Sequence, residues 1–206
     1  MTSAGQGPAA PPEGAARRAG RPRDPAVDDA ILESALRLLC SEGYARMSID
    51  AVAAGAGVGK ATIYLRYSGK ADLATAALAR MRETAAPGRT GDLRADLLGE
   101  LRQARRNTEL ASVMSLIGTC LTEEQHTPEL LRLFRERVIA PRRAIYRDLL
   151  TAAARRGQVP RQDGIEAAVD LLTGAYQARY LSGEPFPDGW EDGVVDAAMS
   201  ALGAAP

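Results

Sequence analysis

Apolar side chains recur at spacings of three and four residues through most of the chain, and proline or glycine separates one such segment from the next. This period is typical of α-helices that bury one face, whereas half-buried strands alternate apolar and polar residues. The apolar residues are mainly 39 Ala and 23 Leu, against nine Val and seven Ile, and a sheet would favour the β-branched types. The sequence therefore predicts an all-α fold of about nine helices.

Several classes of protein are disfavoured by what the sequence contains. No apolar run reaches the roughly 18 residues that cross a bilayer, and the N-terminus lacks a signal-peptide pattern. Cys40 and Cys120 form no spacing motif, and His126 is the sole histidine. We therefore expect a cytoplasmic protein without membrane contact, disulfide, metal site or cofactor. No set of nucleophile, base and orienting residue is evident, so we expect no enzymatic activity.

The chain divides into three expected regions. Residues 1–22 are mostly Ala, Gly, Pro and Arg, which cannot bury enough apolar surface to offset the entropy of ordering, so this arm should be disordered. Residues 23–85 contain four helical segments, and residues 86–206 contain five more, at about 92–106, 109–123, 128–156, 164–182 and 189–203. Pro141 interrupts an apolar period that resumes after it, which predicts a kink.

Two short helical segments joined by a tight turn lie in the first of these domains. The first helix begins at Pro25, after Asp24 as its cap, and ends at Gly43. Ser48 can cap the next segment, which runs to Gly55, and Gly57 permits the positive φ of a sharp corner. A third segment runs from residue 60 to residue 67. This arrangement is typical of a helix-turn-helix, which places its second helix in the major groove of DNA.

The charge pattern agrees with a DNA-binding role. Residues 17–85 contain 11 Lys and Arg against 8 Asp and Glu, although the whole chain has 26 of each. Lys60 and Lys70 are the two lysines of a chain that otherwise uses arginine. The N-terminal arginines Arg17, Arg18, Arg21 and Arg23 add positive charge beside the motif. They act either as a solvated tail or as a minor-groove reader.

The stretch from Ser48 to Lys70 resembles the signature of the tetracycline-repressor (TetR) family. The Gly57-Val58 turn, the Thr62-Ile63-Tyr64 triplet and Lys70 lie in the family's register, and Gly43-Tyr44 ends the first helix as in the family. Residues 128–143 and 181–185 are similar to the C-terminal domain of one large subgroup. Members are homodimeric regulators, usually repressors, whose C-terminal domain holds a small-molecule pocket and the dimer interface.

The resemblance implies a set of DNA-contacting residues. Ser48 would cap the second helix and touch a phosphate, and Lys70 would bind a phosphate at the start of the fourth helix. Arg66 would contact a phosphate or a base edge. Tyr67 is either a core aromatic or a DNA contact. The groove-facing residues implied are Lys60, Ala61, Thr62 and Leu65, with Thr62 and Tyr64 bonding phosphates. Gly55, Gly59 and Gly69 depart from the family pattern, and each lacks a side chain that could reach phosphate.

The C-terminal helices supply candidates for a ligand pocket and a dimer interface. We expect a largely apolar effector, in contact with some of Met114, Ile117, Cys120, Phe134, Tyr146, Tyr176 and Tyr180. Arg142 and Arg143 are expected to form ion pairs with Asp148, Glu136 or a partner helix. The last two segments carry apolar stripes that would pair with a second copy of the chain, Ala168, Val169, Leu172, Ala175 and Tyr176 in one and Val194, Ala198, Met199 and Leu202 in the other.

The sequence thus predicts a dimeric repressor that binds a pseudo-palindromic operator and is released from it by a small molecule. The rival interpretation is a helical small-molecule-binding protein or enzyme whose front helices do not touch DNA.

Overall fold

The computed structural model describes residues 24–84 and 86–204, and within these ranges it consists of nine helices without a strand. The all-α prediction is therefore confirmed. The arm predicted for residues 1–22 and its arginines lie outside the described residues. The helices are α1 (Pro25–Arg46), α2 (Ile49–Ala56), α3 (Lys60–Tyr64), α4 (Lys70–Thr84), α5 (Leu93–Leu110), α6 (Val113–Thr122), α7 (Pro128–Phe134, Arg135–Ile139 and Ala140–Arg155), α8 (Ile165–Ser182) and α9 (Trp190–Ala201).

Helix ends follow the capping residues of the sequence. The carboxylate of Asp24 accepts a hydrogen bond from the amide of Ala26 at 3.0 Å, and the Ser48 hydroxyl accepts one from the amide of Ala51 at 3.1 Å. Each satisfies an amide that the first turn of a helix leaves without a partner. Gly43 has φ 77° and ψ 169°, so the regular part of α1 breaks there, as predicted, although helical hydrogen bonding resumes to Arg46.

Helix α7 is continuous but irregular in its middle. Its residues Arg135–Ile139 form a π turn, in which the amide of Ala140 bonds the carbonyl of Arg135. Pro141 has no amide hydrogen for the carbonyl four residues before it, and a wider turn relieves that mismatch. The structure thus accommodates the proline by a π turn that ends two residues before it, where the sequence predicts a kink at Pro141 itself.

The helices pack around two apolar cores. The first joins α1–α4 to α6 and to the start of α7, with Ile63, Leu73, Leu116 and Phe134 among its members. The second joins α5, the end of α7, α8 and α9. The first core crosses the division expected near residue 85, so α6 and α7 lie directly against the helices of the N-terminal domain. Helix α7 therefore packs on α4, and α6 packs on α1.

Candidate DNA-binding surface and ligand cavity

Helix α3 buries Ile63 and exposes most of its other side chains. Ile63 is completely buried, while the side chains of Tyr64 and Leu65 are 58% and 76% exposed. Gly57, at φ 66°, turns the chain between α2 and α3 in the left-handed conformation that glycine adopts without strain. The α-helix ends at Tyr64, because Leu65 and Arg66 form a tighter turn, so α3 is shorter than the predicted segment 60–67. The arrangement presents α3 outward from the domain.

Lys60 lies at the start of α3 in an exposed ion pair. Its Nζ is 2.5 Å from Oδ1 of Asp50, and more than half of each side chain is exposed. Exposed pairs of this kind contribute about 1 kcal/mol or less. Lys60 can therefore exchange Asp50 for a DNA group at low cost. Ala61 beside it is exposed and Thr62 is half-buried.

Arg66 and Tyr67 face inward, toward Asp28 of α1. The Tyr67 hydroxyl donates to Oδ1 of Asp28 at 3.1 Å, and the ring is 8% exposed. Burial and the Asp28 charge both raise the pKa of this hydroxyl. The Arg66 Nε is 3.4 Å from the same oxygen, and its Nη1 donates to the carbonyl of Thr62. Tyr67 is thus a core residue, and Arg66 would have to leave Asp28 to meet DNA.

Lys70 lies at the first position of α4 and reaches back to the end of α1. Its Nζ donates to the carbonyl of Ala45 at 3.0 Å and lies 4.5 Å from the centre of the Tyr44 ring. Burial lowers the pKa of this ammonium group. The contacts with Ala45 and Tyr44 fix the position of the ammonium group, for which the resemblance implies a phosphate contact.

Of the three glycines that depart from the family pattern, the structure explains one. A Cβ on Gly55 would lie 2.4 Å from the Ser34 hydroxyl oxygen, so glycine permits the close approach of α1 and α2. Nothing lies within 4 Å of a Cβ on Gly59 or Gly69, and the structure does not explain glycine there.

A narrow cavity lies among α4, α5, α6, α7 and α8, with a second one beside it. Each leaves about 20 Å³ open to the centre of a water molecule, which is room for about one water. A larger ligand therefore enters only after side chains move. Of the seven predicted ligand contacts, Ile117 and Phe134 line the first cavity. Sequence reasoning missed its polar lining, which comprises Arg82, Asn107, Thr108, Arg142, Thr173 and Gln177.

The other predicted ligand contacts lie elsewhere. Cys120 is buried in the first core, and burial raises the pKa of its thiol to about 11, so the group stays protonated and inert at neutral pH. Tyr176 stacks on Phe186 with ring centres 5.2 Å apart, and Tyr180 is half exposed. Tyr146 is 1% exposed and belongs to the second core. Met114 is half-buried and does not line the cavity.

Arg142 and Arg143, which follow Pro141, have different surroundings. Arg143 forms ion pairs with Glu166 and Asp170 of α8, not with Asp148 or Glu136. Arg142 forms none with the described residues and lines both cavities instead. Arg143 thus meets the expectation through a partner helix, the third of the predicted alternatives, whereas Arg142 has no ion pair among the described residues.

Two kinds of site are absent from the described residues. In the ranges 24–84 and 86–204, no group of three His, Cys, Asp or Glu residues is placed to hold a metal ion. None of the described helices is long and apolar enough to span a membrane.

An outward-facing second helix after a glycine turn, joined to an all-helical domain with an internal cavity, defines a helix-turn-helix regulator. Residues 31–77 match the family described as "Bacterial regulatory proteins, tetR family", and residues 87–198 match "Tetracyclin repressor-like, C-terminal domain". The chain belongs to the TetR family of transcriptional regulators.

Individual relatives agree with this assignment. An uncharacterised HTH-type transcriptional regulator of Mycobacterium tuberculosis is 36% identical over 163 residues, which cover 76% of this chain and 79% of the relative. The DNA-binding transcriptional repressor TetR of Mycobacteroides abscessus is 30% identical, over 84% of this chain and 92% of the relative. The crystal structure of the TetR family transcription regulator SCO0332 matches with a TM-score of 0.69 at 30% identity, covering 87% of this chain and 99% of that one.

Proposed function

We propose that the protein is a cytoplasmic repressor that binds a pseudo-palindromic operator as a homodimer and leaves it when a small molecule fills the cavity. The observation that carries this proposal is the exposure of Tyr64, at the end of α3, and of Leu65, directly after it, beside the buried Ile63. An exposed Leu on a short helix costs free energy in water and gains a partner in a major groove, where thymine presents a methyl group. The relative in M. abscessus is named a repressor.

On the DNA side, the residues implied by the family fall into three roles. Ser48, Tyr64 and Lys70 bind phosphates, and Lys60, Ala61, Thr62 and Leu65 face base edges. Arg66 takes part if DNA draws its guanidinium away from Asp28. Ala61 and Leu65 have no side-chain hydrogen-bonding group, so direct readout of base edges is sparse. The deformability of the DNA supplies the rest of the specificity.

The homodimer forms through α8 and α9, but not through the predicted stripes. Ala168, Val169 and Leu172 are at most 2% exposed, because they pack in the core of their own subunit. The opposite face of each helix is exposed and carries small or apolar side chains. These residues are Leu171, Gly174, Ala178 and Leu181 on α8, and Gly193, Ala197 and Ala201 on α9. Small residues allow two copies of these helices to approach closely in a four-helix bundle.

The cavity is connected to the DNA-binding surface through α4. Leu78 and Met81 of α4 line it, as do Val138 and Ile139 of α7. Just before Val138, Arg137 lies 2.5 Å from the Asp72 carboxylate in the first turn of α4. That carboxylate also accepts a hydrogen bond from the amide of Ser68 at 2.6 Å, two residues from Lys70. A ligand that widens the cavity therefore separates α7 from α4 and shifts the phosphate-binding end of α4.

A mobility-shift titration with the DNA upstream of the protein's own gene tests this function. The full chain should give a discrete complex with two subunits per site, and unrelated DNA should bind more weakly. Lys70→Ala should weaken binding to both DNAs alike and reduce the salt dependence by about one phosphate contact per subunit. Arg147→Ala serves as the control. It removes an arginine that pairs with Glu166, and both residues lie far along the chain from Lys70. Equal binding to operator and unrelated DNA would contradict the proposal.

A further inference from the structure

Arg142 is a charged side chain without a direct ion pair among the described residues, and Glu100 is the acidic group whose charge acts on it. Its neighbour Arg143 pairs with Glu166 and Asp170, but the Arg142 guanidinium has neither an ion pair nor a hydrogen bond among the described residues. Burial lowers the pKa of the Arg142 guanidinium below its ordinary value, although such a group keeps its charge in proteins. A partly buried cation without an acidic partner costs free energy, so its presence calls for an explanation.

The balance of charge around the cavities is positive. Arg82 and Arg142 line both of them, and Glu100 is the acidic residue that lines the second. Glu100 is already engaged, because its Oε1 lies 3.1 Å from Nη2 of Arg89. Burial raises the pKa of Glu100, although the charges of Arg89, Arg142 and Arg82 act in the opposite direction. Arg82 in turn lies 3.5 Å from the Glu83 carboxylate, so three guanidinium groups meet two carboxylates and one positive charge is left over.

The unsatisfied polar atoms near Arg142 are hydrogen-bond donors. Asn107 is 3% exposed and lines both cavities, and its amide nitrogen has no partner. Tyr146, one helical turn after Arg142, is 1% exposed, and its hydroxyl has no partner either. The Nε of Arg82 is also buried without a hydrogen bond. Tyr146 lines neither cavity, but a ligand group that meets Asn107, Arg82 and Arg142 must accept several hydrogen bonds and need donate none, which describes an anionic oxygen group.

The remaining wall of the first cavity is apolar. Leu78 of α4, Ile117 of α6, and Phe134 and Val138 of α7 contribute to it. An ion with no carbon skeleton would leave these surfaces without a partner. The lining therefore fits a molecule with a charged end and an apolar body.

We propose that the effector is an amphipathic monocarboxylate whose carboxylate binds Arg142 and whose apolar body lies against Ile117 and Phe134. This inference rests on the proposed function only in taking the cavity as the effector site. It keeps the apolar body expected from the sequence and adds one acidic group. Arg142 is then a specificity residue, retained at a cost to the stability of the free protein.

Matched acids and amides test this chemistry with the full chain. The probes are octanoate, decanoate and 2-naphthoate, each compared with its primary amide, in thermal unfolding and isothermal titration. At least one acid should raise the Tm of the wild-type protein while its amide does not. Arg142→Met should reduce that acid's affinity about tenfold or more, and Arg142→Lys should reduce it less. Arg143→Met should leave it unchanged, because Arg143 faces α8.

The thermal stability of the Arg142→Met variant without ligand provides a second test. Arg142→Met should raise the Tm of the free protein by about 3 °C or more, since an apolar side chain replaces an unpaired charge. Amides that bind as well as the acids, an acid response that survives in Arg142→Met, or no response to any acid would overturn the inference. Operator binding measured on the same samples separates the two proposals. If the protein binds its operator but ignores the acids, the repressor function stands and the carboxylate inference fails.

Discussion

A single carboxylate, that of Asp28, connects α1 to the end of the recognition helix. It accepts the hydrogen bond of the Tyr67 hydroxyl at 3.1 Å and lies 3.4 Å from Nε of Arg66. Both partners follow α3 directly, so the position of α3 relative to α1 depends on this contact. The exposed side chains of α3 are therefore presented by a fixed support, and the proposed contact of α3 with DNA needs little further ordering.

Lys60→Ala tests base readout at the level of one residue. We expect a loss of preference at one guanine per half-site, worth about 1–3 kcal/mol, with nonspecific binding nearly unchanged. Competition between the operator and a variant with that guanine replaced measures the change. Asp50→Asn is the matched control, because it frees Lys60 from its 2.5 Å ion pair and should strengthen operator binding. An unaltered preference in Lys60→Ala would show that Lys60 does not read a base.

The contact of α1 with α2 sets the geometry of the DNA-binding domain at the scale of elements. The Ser34 hydroxyl donates to the carbonyl of Val52 at 3.1 Å, in the space that a Cβ on Gly55 would need. We expect Gly55→Ala to lower the free energy of unfolding by about 1 kcal/mol or more, because the hydroxyl must move and lose its bond.

A double-mutant cycle checks this reason. Ser34→Ala removes the oxygen, and the remaining Cβ would lie 3.6 Å from the new methyl group, which is ordinary contact. Denaturant unfolding should therefore show that Gly55→Ala costs nothing, or stabilises α2 slightly, in the Ser34→Ala background. Equal costs in both backgrounds would exclude the close approach as the cause.

The contact of α7 with α4 provides a second prediction. Arg137→Gln removes the ion pair to Asp72, whose side chain is 13% exposed. We expect faster hydrogen exchange in the first turn of α4 and a loss of operator affinity of about fivefold or more, because Lys70 loses its support. Arg135→Gln is the control, since Arg135 is exposed and lies 3.5 Å from Glu124. If both variants bind DNA alike, the link between α7 and α4 does not contribute.

The sequence predicts where these helices begin, but not which side chains line the cavity. Asp24 and Ser48 identified helix starts correctly, because capping depends on local sequence alone. The cavity could not be predicted in the same way, since its lining comes from five helices whose rotation is set by packing. Arg142 and Arg143 are adjacent and identical, and the π turn before them decides which one faces the cavity. Ile117 and Phe134 were among the seven predicted ligand contacts, but the sequence could not separate them from the five that do not line the cavity.

The two apolar cores do not coincide with the two segments of the chain that match the family. The matches meet between residues 77 and 87, whereas the first core continues into α6 and α7. Helix α9 is anchored to α5 by ion pairs of Arg94 with Asp192 and Asp196. The faces of α8 and α9 that point away from the cores stay exposed, and we expect the second subunit to cover them.

Leu171→Arg combined with Ala178→Arg tests the dimer. Both residues lie on the exposed face of α8, and two charges there would be buried against a partner. We expect the mass measured by light scattering to fall from two chains to one. Leu121→Arg is the control, because Leu121 is 60% exposed at the end of α6. A double variant that remains dimeric would place the interface elsewhere.

Selection from random DNA by the wild-type protein tests the central claim most directly, because it asks whether the whole molecule reads sequence as a symmetric dimer. We predict an enriched pseudo-palindrome whose half-sites lie about one helical turn, roughly 34 Å, apart, with only a few defined positions in each. No enriched sequence, or an enriched sequence without two-fold symmetry, would contradict the account.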